Sequence, residues 1–158
     1  MRIIKQKVYT FTELDEAAKE VARNWYRETD DFPWSDEWRN SIKTFVDHFG
    51  ANLKDWSICP YCPIDYEVDC DNSHFRGLKL RDFKRDHMPT GYCGDCDLWM
   101  SFYDVFKSSG DAKYAFEQAV DTLLKAWRTD WEYSLSDEAV DEAITCNGYE
   151  FFENGERY

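Results

Sequence analysis

The sequence lacks any long hydrophobic run, and this absence excludes a membrane-spanning role. No stretch of 18 apolar residues occurs in the 158-residue chain, whereas a transmembrane helix needs about 20. The opening stretch MRIIKQKVYTF has neither the apolar segment nor the cleavage site of a signal peptide. We therefore expect a cytoplasmic protein, in which cysteines are more often thiols or metal ligands than disulfides.

Basic residues are also few, and this shortage excludes one class of partner. Lysine and arginine number 19 against 32 acidic residues, so the net charge is −13. Direct binding to nucleic acid is not expected, because it needs basic side chains to displace counterions. Residues 130–158 are the most acidic segment, and we predict that they contact a basic partner, the alternative being a solvated surface. The predicted contact residues are Asp137, Glu138, Asp141, Glu142, Glu150 and Glu153.

The common catalytic motifs are missing as well. Gly91 and Gly94 in GYCGDC match neither a phosphate-binding loop nor a dinucleotide fingerprint, and no Gly-x-Ser-x-Gly occurs. We therefore predict that the protein is not an enzyme. The alternative is a thiol-dependent enzyme in which Cys93 is the nucleophile and His87 is the base.

The spacing of apolar residues predicts about five helices. Two stripes with spacings of four, three and four residues are typical of amphipathic helices. They are Leu14, Ala18, Val21, Trp25 and Trp38, Ile42, Phe45, Phe49. Thr12 is expected to begin the first helix through a capping box. Three more helices are predicted to begin near Asp97, Asp111 and Ser136, and most aromatic side chains should lie in the core.

Strand-forming segments predict a small, mostly antiparallel sheet on which the helices pack. The segments are residues 2–11, 52–59, 64–70 and the end of the chain, where Asn154-Gly155 is typical of a hairpin turn. The predicted fold class is therefore α+β. Because no internal repeat, linker or low-complexity tract occurs, we expect a single domain over residues 1–158.

Two Cys-x-x-Cys pairs, Cys59/Cys62 and Cys93/Cys96, predict a structural zinc site. Each pair can form a tight turn that directs two thiolates to one ion, and four such ligands complete a tetrahedral site. The pairs border the irregular segment 71–96, which is long for a loop in a compact domain. A zinc ion bound by both pairs would hold the two ends of that segment close together. Cys70, His74 or His87 could replace one of the four cysteines.

Other roles for these cysteines stay open at this point. A redox pair needs its first cysteine at the N-terminus of a helix, and Cys93 precedes the helix predicted from Asp97. However, the negative charges of Asp95 and Asp97 would oppose formation of a thiolate there. Disulfides and free thiols are further alternatives. Cys146 is expected to be a small core residue.

Three stretches of the chain together resemble a known group of proteins. They are KVYTFTELDEAAKEVARNWYRE at 7–28, FRGLKLRDFKRDHMPTGYCGDCDLWMSFYDVF at 75–106 and ITCNGYEFFENGERY at 144–158. They resemble a family of small acidic proteins encoded by bacteriophages and prophages. Small acidic phage accessory proteins often counter host defence, as anti-CRISPR and antirestriction proteins do, so the resemblance implies such a role.

The resemblance and the charge together lead to one expected function. We expect a phage-type anti-CRISPR inhibitor that binds a Cas9-type effector nuclease in the bacterial cytoplasm and blocks loading of target DNA. Such an effector holds its heteroduplex in a basic channel, and an acidic surface has the sign to be steered there. The alternatives are the thiol-dependent enzyme and a phage regulatory or structural module that binds another phage protein.

Overall fold

The computed structural model describes residues 6–29, 35–61 and 63–158. Within these ranges the α-helices are α1 (Glu16–Thr29), α2 (Ser35–His48), α3 (Cys93–Ser109), α4 (Ala112–Ser134) and α5 (Asp137–Cys146). The strands form two antiparallel pairs, β1 (Tyr9–Thr10) with β4 (Glu150–Phe151) and β2 (Asn52–Ser57) with β3 (Asp65–Asp69). The predicted α+β class is confirmed, with two small sheets. None of these helices is long and apolar enough to cross a membrane.

The chain divides into two compact units. The first comprises Met1–Pro33 and Glu132–Tyr158, and the second comprises Trp34–Trp131. Each unit buries its own set of apolar side chains. The expectation of one domain over residues 1–158 stays a prediction.

The first unit packs α1 against α5 around an apolar core. The buried residues are Phe11, Leu14, Ala18, Ala22, Val140, Ile144 and Phe151. The predicted stripe of α1 is wrong at one position, since Val21 is 43% exposed and Ala22 is fully buried. Val21 and Ala22 fit the helical spacing about equally well. Ala22 is the one that lies in the core shared with α5.

The start of α1 is capped differently from the prediction. The capping box expected at Thr12 is formed two residues earlier, where the Glu13 carboxylate accepts from the backbone N–H of Thr10 at 2.8 Å. This difference arises because Phe11–Glu13 form a separate 3-10 turn. Asp15 then caps α1 itself by accepting from the N–H of Ala18 at 2.8 Å.

The predicted hairpin at the end of the chain is confirmed. Gly155 has φ +85°, and its N–H donates to the carbonyl of Phe152 at 2.9 Å. The chain then returns beside β4, where Phe151 and Arg157 form an antiparallel bridge. The strand predicted over residues 2–11 is shorter than expected, since only β1 pairs in the described part of that range, and residues 1–5 lie outside it.

The second unit packs α2, α3 and α4 through aromatic side chains. The predicted α2 stripe of Trp38, Ile42, Phe45 and Phe49 is buried throughout. The Phe45 ring stacks on Phe116 of α4 with centroids 5.4 Å apart. The expectation that most of the aromatic residues form core is confirmed for these side chains.

The β2–β3 hairpin belongs to the second unit. Its register places Trp56 opposite Tyr66, and the side chains of β3 alternate between exposed and half-buried positions as predicted. Strand β2 ends at Ser57, so Cys59 follows the paired region rather than ending it.

Candidate functional site

The segment TGYCGDC enters a helix earlier than its sequence predicts. Helix α3 begins at Cys93, with Tyr92 as its N-cap, and the predicted start at Asp97 is wrong by four residues. Gly94 makes this early start possible, because a Cβ there would lie 3.3 Å from the Trp38 ring. The first turn of α3 can therefore approach α2 closely.

Asp95 fastens the loop that precedes α3. The residue is buried, and its Oδ2 accepts from the N–H of Thr90 at 2.8 Å, from the Thr90 hydroxyl at 2.9 Å and from the N–H of Gly91 at 3.1 Å. The Thr90 hydroxyl also lies 3.1 Å from that of Ser41 on α2. The carboxylate thus links the loop, the first turn of α3 and α2.

Sequence reasoning missed this role of Asp95. The sequence indicates only a negative charge that opposes a thiolate, whereas in the structure Oδ2 accepts three hydrogen bonds from the preceding loop. Its Oδ1 is buried, and no partner for it is found among the described residues. The available signal was a Thr-Gly turn five residues before an aspartate in the first turn of a helix, which is a common local hydrogen-bonding arrangement.

The irregular segment that precedes this loop is held by aromatic side chains. Phe75 is buried, with its ring 5.3 Å from that of Phe116. Phe83 lies 5.0 Å from Phe102 of α3. Arg85 adds an ion pair, with its Nη2 2.8 Å from Oδ2 of Asp104. Packing therefore fixes a segment whose length had suggested a need for zinc.

The predicted zinc ligands that the structure describes are in two chemical states. Cys93 is an exposed free thiol and Cys96 a half-buried one, whereas Cys59 is disulfide-bonded. Cys62 lies outside the described residues. Of the described part of the chain, no group of three or more His, Cys, Asp or Glu side chains is placed to hold a metal ion. The zinc site stays a prediction, and it requires Cys59 to be reduced.

The other two cysteines also differ from one another. Cys70 is half-buried at the end of the β2–β3 hairpin, and burial raises the pKa of its thiol. Cys146 is exposed at the end of α5, so its prediction as a core residue is wrong. The α5 core is instead formed by Val140 and Ile144, which leaves Cys146 on the outer side.

A row of aromatic rings connects the surroundings of the two Cys-x-x-Cys segments. Tyr92 lies 5.5 Å from Trp38, Trp38 stacks on Trp127 at 6.0 Å, and Trp127 lies 5.1 Å from Trp56. Tyr92 is the residue immediately before Cys93, and Trp56 lies three residues before Cys59. The row of rings therefore extends from the residue before Cys93 to a strand residue shortly before Cys59.

The histidines give no support to the proposed Cys93–His87 pair. The His87 ring packs on Trp99 at 4.8 Å and lies 6.3 Å from the His48 ring. Partial burial lowers the pKa of His48, and the neighbouring His87 lowers it further. No hydrogen bond joins Cys93 to His87 in the ranges that the structure covers. His74 is engaged elsewhere, since its Nδ1 accepts from the N–H of Asp71 at 3.1 Å.

Two of the six predicted partner-contact residues serve the fold of the first unit. Both carboxylate oxygens of Asp141 accept from Arg23, at 2.6 and 2.8 Å. Asp137 forms an ion pair with Arg27, whose Nε also donates to the carbonyl of Leu135 at 2.9 Å. These contacts join α1 to α5. The bond to Asp141 raises the pKa of Arg23 above its usual range.

The other four predicted contact residues face solvent. Glu138, Glu142, Glu150 and Glu153 are exposed, and none of them forms a side-chain ion pair within the described residues. The acidic face is defined here by these four glutamates. The acidic segment therefore combines carboxylates that hold α5 in place with carboxylates that remain on the surface.

The division between structural and surface carboxylates predicts a difference in stability. Asp141→Ala is expected to lower the free energy of unfolding by about 2 kcal/mol, a value between the small cost at an exposed ion pair and the larger cost of leaving a buried charge unpaired. Glu142→Ala, one residue away, should change it by less than about 0.5 kcal/mol. Urea unfolding gives the free energy of unfolding of both variants. Equal losses would contradict the assignment of Asp141 to the fold and Glu142 to the surface.

The chain's own residues supply the candidate features: a buried aspartate that fastens a loop, a thiol pair in the first turn of α3, and exposed glutamates on α5, on β4 and just after β4. No family model, no curated protein and no solved structure matches this chain.

Proposed function

We propose that this protein is a phage-type anti-defence inhibitor that binds stoichiometrically to a basic surface of a host nucleic-acid-handling protein. A Cas9-type CRISPR effector nuclease is the leading candidate partner, and blocked loading of target DNA is the proposed effect. The observation that carries the proposal is the acidic face of Glu138, Glu142, Glu150 and Glu153. The protein turns over no substrate in this role and makes no direct contact with nucleic acid.

The charge around the acidic face supports this role. Residues 137–156 contain seven carboxylates and no basic residue. Of these seven carboxylates, those of Asp141 and Asp137 pair with Arg23 and Arg27, and both arginines also pair with glutamates of α1. The other five carboxylates keep this segment net negative. A patch of this kind accelerates association with a basic surface and selects against acidic partners.

The proposal is tested with two charge-reversal variants that have the same net charge and differ only in the position of the changes. Charge reversal of the acidic face, with all four glutamates changed to lysine, is expected to weaken binding to the effector by at least tenfold. The matched control changes four exposed aspartates of the second unit to lysine, and these are Asp65, Asp69, Asp82 and Asp86. Because both variants have the same net charge, a local contact weakens only the first.

Binding is measured by calorimetry or surface capture against purified effector and guide RNA, with inhibition of DNA cleavage as the second readout. Asp137 and Asp141 are left intact, because their loss would destabilise α5. Unchanged binding of the acidic-face variant would refute the acidic-face mechanism. Equal weakening of both variants would show that only overall charge matters.

A structural zinc belongs to the same proposal as its supporting element. Its ligands are Cys59, Cys62, Cys93 and Cys96, all as thiolates, so it concerns the reduced protein. We expect about one zinc per chain by elemental analysis after purification under reducing conditions, with a lower melting temperature after chelation. Reduced protein without zinc, and with unchanged stability in chelator, would rule the zinc out.

A further inference from the structure

We infer that the outer edge of strand β3, the edge away from β2, binds an extended segment of a partner protein in which basic and apolar residues alternate. The segment adds a third strand to the β2–β3 hairpin and lies in a groove between β3 and α4. This surface belongs to the second unit and uses none of the four glutamates of the acidic face. The inference therefore goes beyond the inhibitor function and does not depend on it.

The outer edge of β3 offers backbone groups for pairing. In the part of the chain that the structure describes, β3 pairs only with β2, and its residues form no other backbone–backbone hydrogen bond. Alternate residues of an antiparallel strand direct their N–H and C=O groups away from the partner strand. Such an edge is a template for a further strand, and many peptides are recognised in this way.

A groove between β3 and α4 provides room for the side chains of an added strand. Its volume is about 490 Å³, and both elements line it. Tyr66 and Val68 of β3 are half-buried there, and Phe116, which is 1% exposed, lines it from α4. The lining follows the chain from Tyr66 to Cys70 and from Phe116 to Asp121. The groove therefore runs along the strand.

The two faces of β3 differ in chemistry. Tyr66 and Val68 are half-buried, whereas Asp65, Glu67 and Asp69 are exposed. Side chains of neighbouring strands lie beside one another on the same face of a sheet, and opposite charges there stabilise the pairing. An added strand therefore places apolar residues beside Tyr66 and Val68 and basic residues beside the three carboxylates. These residues alternate because the side-chain period of a strand is two.

The charge around the groove favours a basic segment. Burial raises the pKa of the Tyr66 phenol, and the nearby carboxylates of Asp121 and Glu117 raise it further. Three lysines pair with some of the carboxylates, but at an exposed surface such pairs are weak and can exchange partners. The pairs are Lys54 with Glu67 and Asp69, Lys113 with Glu117, and Lys125 with Asp121.

A second copy of this chain fits the same edge poorly. Pairing of β3 with β3 of another copy would place Asp65, Glu67 and Asp69 of both chains on neighbouring strands. Like charges in these positions destabilise pairing, and charged residues on an edge strand are a common protection against association of edges. The row of carboxylates thus disfavours self-pairing and favours a strand of opposite charge.

The test uses short labelled peptides as probes, with binding measured by fluorescence anisotropy. A peptide of alternating lysine and valine should bind at least tenfold more tightly than one of alternating glutamate and valine. Two further peptides carry N-methyl groups, either on all the lysines or on all the valines. Only one of these sets faces β3 in an added strand, so one methylated peptide should bind at least tenfold more weakly than the other.

Two variants of equal net charge locate the binding site. Asp65→Lys with Asp69→Lys should weaken binding of the lysine–valine peptide at least tenfold. Asp82→Lys with Asp86→Lys, at exposed positions outside β3 and the groove, should change it less than twofold. Circular dichroism checks that both variants are folded. In the wild type, bound peptide should slow hydrogen exchange at least tenfold at those amides of Asp65–Asp69 that face away from β2.

The same variants keep this inference separate from the inhibitor function. The Asp65 and Asp69 variant should retain effector binding while it loses the peptide, and the acidic-face variant should do the opposite. Four outcomes overturn the inference: equal binding of the lysine and glutamate peptides, equal binding of both methylated peptides, unchanged binding to the Asp65 and Asp69 variant, and unchanged hydrogen exchange in β3. A dimer of the free protein with protected β3 amides would assign the edge to a second copy instead.

Discussion

Gly155→Ala is expected to lower the free energy of unfolding of the first unit by about 3 to 5 kcal/mol. Two independent costs add at this position. Gly155 has φ +85°, a conformation that side chains oppose, and an added Cβ would lie 2.0 Å from the carbonyl oxygen of Ala18. That oxygen belongs to the backbone of α1, so neither side can move without loss of the turn or the helix.

Gly148→Ala is the matched control for this prediction. Gly148 lies in the same unit with φ +65°, but an added Cβ there meets no atom within 4 Å. Its replacement should cost only the conformational strain, about 1 to 2 kcal/mol. Urea unfolding followed by circular dichroism compares the two variants. Equal losses would show that the close approach of Gly155 to α1 contributes nothing.

The helices of this protein were predictable where their signal is local. The α2 stripe from Trp38 to Phe49 repeats every three or four residues, and burial follows that spacing because one face of a helix meets the core. The caps at Asp111 and Ser136 were also found, since each side chain accepts from a backbone N–H three residues on. Such patterns need no knowledge of the rest of the chain.

The start of α3 could not be predicted in the same way. Its first turn contains Gly94 and Asp95, which have low helix propensity and suggest a loop. Helix is nevertheless formed, because the absence of a Cβ at Gly94 admits Trp38, and Asp95 is satisfied by the preceding loop. Both reasons are tertiary contacts that appear only after folding.

The ion pairs of the acidic segment were also not predictable from the sequence. The number of carboxylates in the acidic segment follows from composition, but their pairing does not. Asp141 and Arg23 are 118 residues apart in sequence, and only the packing of α1 on α5 brings them together. The sequence therefore predicted an acidic segment, but two of the six carboxylates predicted as partner contacts, Asp137 and Asp141, pair with arginines of the same unit.

Asp95→Ala is expected to lower the free energy of unfolding by about 2 to 3 kcal/mol. The variant removes the acceptor of three hydrogen bonds, and hydrogen bonds to a charged group contribute more than neutral ones. The N–H groups of Thr90 and Gly91 lose their partner, and the loop loses its connection to the first turn of α3. Hydrogen exchange at these two amides should become faster, in step with the loss of stability measured in urea.

Asp95→Asn and Asp97→Ala separate the causes of this effect. Asparagine keeps an acceptor of the same shape but removes the charge, so about half of the loss is expected. Most of the Asp97 side chain is exposed, but partial burial of its carboxylate and the charge of Asp130 raise its pKa. Its charged form is therefore disfavoured in the fold. Asp97→Ala should therefore be neutral or slightly stabilising. If it is as damaging as Asp95→Ala, general loss of acidic charge near the start of α3 is the cause, and the loop is held by something other than the Asp95 carboxylate.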